Sequence, residues 1–171
     1  MRHGEAENIV GEDSLRPLTT KGMLEAKKMG FWLAHHKSTL MKVFVSPYLR
    51  AQQSCAKVSE AIQKTSLLNE ISPETLDFIT PSGNARQVHD FIDGLLQRND
   101  YLPEEQNLNQ NQAVLFVSHM PFVSYLVAEL TDSLNMPIFS TGAIAIIDYN
   151  IKKMQGRLVD MVLPSTIQLE Q

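Results

Sequence analysis

Two short apolar runs constrain this chain more than any other feature: Lys42-Val43-Phe44-Val45 and Ala113-Val114-Leu115-Phe116-Val117. Each is too short for a helix, rich in β-branched and aromatic residues, and apolar without alternation. That is the pattern of a strand covered on both faces. Each run ends on a polar pair, Ser46-Pro47 or Ser118-His119, and a helical period follows. Doubly covered strands alternating with helices predict an α/β protein with a mostly parallel central sheet.

The rest of the chain fits that frame. Residues 1–18 read as a loop broken by Gly4, Gly11 and Pro17. Thr20 is the expected N-cap of a helix over 20–36, with Met23, Ala26, Gly30 and Leu33 inward. A second helix is expected over 48–63, its inner stripe Ala51, Cys55, Val58 and Ile62. Residues 67–81 look irregular, with a short strand near 67–71. The turn Pro81-Ser82-Gly83-Asn84 opens a helix over 84–97 with Val88, Phe91, Ile92 and Leu95 inward. A helix over 121–131 carries Pro121 in its first turn. Strands at 143–149 and 157–162 are expected to pair through Asn150–Gly156. The polar stretch 98–112, rich in Asn and Gln, reads as a mobile surface loop within a single domain spanning 1–171.

Composition narrows the function classes. With 43% hydrophobic and 20% charged residues over 171 positions, the chain can bury a core. A net charge of −4 argues against a general nucleic-acid surface. No apolar run has the length of a membrane span, and Met1-Arg2-His3-Gly4 does not open like a signal peptide. Cytoplasmic location is the expectation. Cys55 is the one cysteine; it has no disulfide partner and no zinc spacing, and is expected in a helix core. His35 and His36 read as solvated cations at a helix end, and His89 as a helix-surface residue.

The chemistry-bearing residues collect at three places. Arg2-His3-Gly4 opens the chain. Ser46-Pro47-Tyr48-Leu49-Arg50-Ala51 and Val117-Ser118-His119-Met120-Pro121 each follow a strand and open a helix. In open α/β sheets ligands bind beyond the carboxyl ends of the strands, which is where Arg50 and His119 fall. Helix N-termini there present free N–H groups to anions. Two arginines and two histidines at such a place suit a phosphoryl group. Arginine grips oxygens as a planar fork, and neutral imidazole is nucleophilic near pH 7.

The ordered set of motifs resembles the histidine phosphatase superfamily. Arg2-His3-Gly4-Glu5-Ala6, Leu15-Arg16-Pro17-Leu18-Thr19 with Gly22, Ser46 to Gln53, and Val117 to Pro121 match its blocks in order. Leu126-Val127-Ala128-Glu129-Leu130 and Thr141-Gly142-Ala143-Ile144-Ala145 are most similar to the SixA-type phosphohistidine phosphatases. The resemblance implies a three-layer α/β/α, phosphoglycerate mutase-like fold without a large cap. It implies His3 as nucleophile, carrying the phosphoryl group as a covalent intermediate. Arg2, Arg50 and His119 would form the phosphate pocket, with Arg16 a further phosphate or substrate contact. It implies no metal and no organic cofactor. The partner would be a phosphohistidine-bearing phosphotransfer protein of a bacterial relay, met by a monomer.

Family members carry several apolar residues before Arg-His-Gly, forming a central strand; here only Met1 precedes Arg2. The first strand is therefore expected to be largely absent, the start misassigned, and protein made strictly from Met1 poorly folded. Asp77 and Glu74 lie where a general acid for ester hydrolysis would come, but no motif marks either. A P–N bond needs less acid assistance, so no dedicated acid is expected. The alternatives are a small-molecule phosphomonoester phosphatase and a non-catalytic phosphate-binding module.

Overall fold

The computed structural model describes residues 1–8, 10–36, 39–65, 72–97 and 112–169. Helix α1 (Thr20–His35) is capped by Thr19, whose hydroxyl accepts the Gly22 N–H at 3.0 Å. The cap is thus one residue before the expected Thr20. The buried face of α1 carries Gly22, Ala26, Met29 and Gly30, while Met23 is turned out. A stripe through Gly30 was correct, but its centre is Met29, because Gly30 lies against the backbone of Val58 in the next helix.

Strand β1 (Thr39–Val45) leads into helix α2 (Leu49–Thr65), which buries the expected Ala51, Cys55, Val58 and Ile62. A two-residue strand, β2 (Glu74–Thr75), precedes helix α3 (Ala85–Leu96). Strand β3 (Gln112–Val117) runs into helix α4 (Phe122–Thr131), with Pro121 at its N-cap. Strands β4 (Ile144–Asn150) and β5 (Gln155–Val162) form the expected hairpin. The strand expected near 67–71 lies outside the described residues, as does the polar stretch over 98–111.

The sheet order β2-β1-β3 is parallel throughout, with Val45 opposite both Thr75 and Val117. Alternation along the strands then decides the layers. Val43, Val45, Leu115 and Val117 meet Met29, Cys55 and Val58 of α1 and α2 on one face. Phe44, joined by the half-buried Phe116 and Val114, meets Val88, Ile92, Phe122 and Leu126 of α3 and α4 on the other. This is the α/β/α arrangement with a mostly parallel sheet. Among the described residues no helix is long and apolar enough to cross a membrane.

The chain start completes the sheet. Arg2 and Ser118 make a parallel bridge. The Ser118 N–H donates to the Met1 carbonyl and the His3 N–H to the Ser118 carbonyl, both at 2.9 Å. On the other side the Arg2 N–H donates to Ala143 and the Gly142 N–H to His3, both at 3.0 Å. Residues 1–3 therefore stitch the end of β3 to the start of β4. The first strand is reduced to this bridge, yet Ser118 keeps its ladder partners, and His3 is handed to the carboxyl end of the sheet.

His89 corrects the sequence reading. It is buried, not on the helix surface, with Nδ1 3.3 Å from Glu129 Oε1 and Nε2 2.8 Å from the Tyr149 hydroxyl. Tyr149 in turn donates to Asp93. Position 89 falls next to Val88 on the apolar side of α3, and the polar partners come from α4 and the hairpin, far away in the chain.

Candidate active site

The N-terminal loop is held against α1 and α2 by contacts that leave no room for side chains at two glycines. A Cβ on Gly4 would lie 2.3 Å from the Gly22 carbonyl oxygen, and one on Gly22 would lie 2.0 Å from the Glu5 carbonyl oxygen. The Gly4 N–H donates to Ser54 Oγ at 3.0 Å, and Ser54 donates to the Arg50 carbonyl at 2.7 Å. Glu25 of α1 accepts from the Glu5 N–H at 2.8 Å and from Thr141 at 2.9 Å. So the loop bearing His3, the helix bearing Arg50 and the segment before β4 are tied together around one point.

At that point the sequence candidates converge. The Arg50 Nε–H donates to His3 Nε2 at 3.2 Å. Guanidinium can only donate, so His3 Nε2 bears the lone pair and the ring proton sits on Nδ1. That proton goes to the Gly4 carbonyl at 2.6 Å. The His3 and His119 rings lie 5.0 Å apart. His119 Nε2 is 2.7 Å from Ser46 Oγ, and Ser46 Oγ is reached by the Tyr48 N–H at 3.4 Å. The Ser46 hydroxyl can donate to or accept from this ring nitrogen, so the bond suits either neutral tautomer of His119. Tyr48 packs on both groups, its ring 5.0 Å from His119 and 4.9 Å from the Arg50 Cζ.

Arg2 comes in from the chain start, its Nη1 donating to the Phe139 carbonyl at 2.6 Å. Arg50 is buried, and its terminal nitrogens reach one residue. Nη1 donates to the Asp13 carbonyl at 2.6 Å and Nη2 to Asp13 Oδ2 at 2.9 Å. Arg16 Nε lies 3.2 Å from the other carboxylate oxygen. Arg16 thus stands behind Asp13 instead of touching either histidine through a hydrogen bond.

The electrostatics keep both histidines neutral. Burial first, then Arg50, Arg2 and Arg16, hold His3 down at about 4, against the pull of its bond to the Gly4 carbonyl. Burial, then His3 and the same arginines, lower His119 to about 2. Among the described residues, Arg2 Nε and His119 Nδ1 are buried without a hydrogen-bond partner. A buried donor left unpaired costs about 1–3 kcal/mol, so such donors beside three arginines mark a place for an anion. No group of acidic, His and Cys side chains among the described residues is arranged to hold a metal.

The two acid candidates do not join the cluster. Glu74 sits exposed on β2, 3.9 Å from Lys42, and Asp77 is exposed in the turn after it. Sequence reading missed Ser46 and Asp13 as working parts. Ser46 lay within a quoted motif but reads as a turn residue, and Asp13 is one of several acids in a charged loop. A separate cavity of about 790 Å³ lies between α3, α4 and the hairpin turn, lined by His89, Tyr125, Glu129 and Met154. It contains neither His3, Arg50 nor His119, and the chemistry belongs to the polar cluster instead.

Comparison with known proteins agrees with this geometry. Phosphohistidine phosphatase SixA of Escherichia coli (strain K12) is 38% identical over 146 residues, covering 85% of this chain and 80% of that protein. The phosphohistidine phosphatase SixA homolog of Haemophilus influenzae is 37% identical over 150 residues, covering 85% and 83%. The solved structure of the protein histidine phosphatase SixA complexed with tungstate superposes with a TM-score of 0.80. It is 34% identical, with 97% of this chain and 96% of that one covered. The family sequence model that matches residues 1–108 takes in His3, Arg16 and Arg50, and with these relatives it shows that the chain belongs to the histidine phosphatase superfamily (branch 1).

Proposed function

We propose that this protein is a phosphohistidine phosphatase in which His3 Nε2 attacks phosphorus and Arg2, Arg50 and His119 hold the phosphoryl oxygens. The single observation that carries this is the pairing of His3 with Arg50. One ring nitrogen is locked as a donor to Gly4, and the other offers its lone pair 3.2 Å from a guanidinium nitrogen. A phosphoryl group entering between them meets nucleophile and cation together. Because His3 is held down at about 4, it is unprotonated at neutral pH without needing a base.

The chemistry has two steps. His3 Nε2 bonds to phosphorus as the P–N bond of the substrate breaks, and the leaving imidazole nitrogen keeps the electron pair and takes up a proton. Water then attacks phosphorus on His3, the second P–N bond breaks, and inorganic phosphate leaves with His3 restored. Arg2 Nε, Arg16 Nε and His119 Nδ1 are buried nitrogens without a hydrogen-bond partner, and in this reading Arg2 Nε and a protonated His119 Nδ1 bind the phosphoryl oxygens in both steps. Arg16, linked to the pocket through Asp13, contributes its charge from further out. Neither a metal nor an organic cofactor enters either step.

The substrate is a phosphohistidine-bearing phosphotransfer protein. One observation supports it: the relatives at 37–38% identity are named as phosphohistidine phosphatases. A monomer acting in the cytoplasm is part of this reading. The test is phosphate release from a phosphohistidine-bearing phosphotransfer protein, run beside p-nitrophenyl phosphate and sugar phosphates, for wild type and His3→Ala. Fast loss from phosphohistidine alone, abolished by His3→Ala, is expected. Preference for an ester would replace this function by that of a metabolite phosphatase. Binding without turnover by folded protein would leave a phosphate-binding module.

A further inference from the structure

Arg50 aims its Nε at His3 while Tyr48 packs on the face of its guanidinium, and both terminal nitrogens donate to Asp13. The Asp13 carbonyl takes Nη1 at 2.6 Å and its carboxylate takes Nη2 at 2.9 Å. These contacts occupy the far edge of the planar group. The Nε–H is left for His3 Nε2, to which it donates at 3.2 Å. The second carboxylate oxygen lies 3.2 Å from Arg16 Nε, so one residue ties two arginines together. Asp13 itself sits on a single 3-10 turn, Asp13–Leu15, that buries no residue. Its placement therefore serves the arginines and not the core.

We propose that Asp13 is a positioning residue for phosphoryl transfer: it fixes the terminal edge of Arg50 so that the side edge receives the phosphoryl group at His3. This rests on the assignment of His3 as phosphoryl acceptor. An aspartate on phosphate-binding arginines could instead compete with the incoming anion, and the two roles predict opposite signs. Removal of a competitor tightens anion binding, whereas removal of a positioning group weakens it.

The experiment uses the full chain as wild type, Asp13→Ala, Asp13→Asn, Arg50→Ala and the Asp13→Ala/Arg50→Ala double variant, each checked by thermal melting. Two quantities are read: kcat and KM on a phosphohistidine-bearing phosphotransfer protein, and the Kd for tungstate by calorimetry. Asp13→Ala is expected to lower kcat and weaken tungstate binding by about tenfold each, the loss of one hydrogen bond to a charged group. KM should stay within about twofold, since the substrate protein is also held outside the pocket. Asp13→Asn should keep most of the activity, because its amide oxygen still accepts from Nη2. In the Arg50→Ala background Asp13→Ala should change neither quantity. Tighter tungstate binding by Asp13→Ala would overturn the proposal, and so would an equal loss with and without Arg50. If wild type turns over no phosphohistidine, the proposed function fails and the tungstate measurements still decide the role of Asp13.

Discussion

His3 is buried and held at about 4 when its ordinary value is 6.5, and this has a consequence for stability that can be worked through. Between pH 6.5 and about 4 the unfolded chain binds a proton at His3 and the native protein does not. A depressed folded pKa leaves stability intact above the unfolded value and removes it as pH falls. From pH 6.5 down to 5 is about 1.5 units, at about 1.4 kcal/mol per unit, so His3 alone removes about 2 kcal/mol. Replacing it with a side chain that does not titrate cancels that loss. Urea unfolding of wild type and His3→Gln at pH 7, 6 and 5 should show the variant gaining about 2 kcal/mol on wild type across the range. Other titrating groups are common to both proteins and drop out of the difference. His119 carries the same sign, lowered to about 2, so His3→Gln/His119→Gln should flatten the curve about twice as much. Parallel curves for wild type and His3→Gln would mean that His3 keeps its ordinary titration in the native state, and its assignment as a buried imidazole held neutral would then fail.

Other outcomes follow from single contacts. Ser46→Ala removes the hydroxyl bonded to His119 Nε2 at 2.7 Å, which orients the ring; kcat on phosphohistidine should fall by about 10- to 100-fold, the equivalent of about 1.4–3 kcal/mol, with little change in melting temperature. Gly22→Ala drives a Cβ to 2.0 Å from the Glu5 carbonyl oxygen; denaturant titration should show a loss of about 1–3 kcal/mol, accompanied by lower activity because the same loop carries His3. Asp77 is exposed and away from the cluster; Asp77→Asn should leave phosphohistidine turnover within about twofold in the same assay, and a loss approaching that of a true acid catalyst, about 100-fold, would reveal one.

Much of the architecture was legible before any coordinates. The α/β class, both long parallel strands, the helices and the closing hairpin all announce themselves through local patterns of apolarity and turn residues. These patterns are local because a strand buried on both faces must be apolar at every position, whatever it packs against. The placement of Arg50 and His119 at strand ends was legible for the same reason, since a strand-to-helix junction places its first residues at the sheet's carboxyl edge. Errors arose where a residue's environment comes from distant segments. Met23 fits the helical period of α1 as well as Met29 does, and only the close approach of α2 at Gly30 decides which faces inward. His89 reads as a surface residue until Glu129 and Tyr149 arrive from 40 and 60 positions away.

What the sequence determined by itself was the set of candidate groups and the side of the sheet where they gather. Arg2, His3, Arg50 and His119 are set by residue type and by position relative to strands. The tertiary structure decided how they work. It made His3 donate through Nδ1 and offer Nε2, bonded His119 to Ser46, and placed Asp13 behind Arg50. It also placed residues 1–3, and with them His3, between the end of β3 and the start of β4. Tautomer, protonation and side-chain aim depend on hydrogen-bond partners and burial a few ångströms away, and in this fold those partners lie tens of residues apart along the chain.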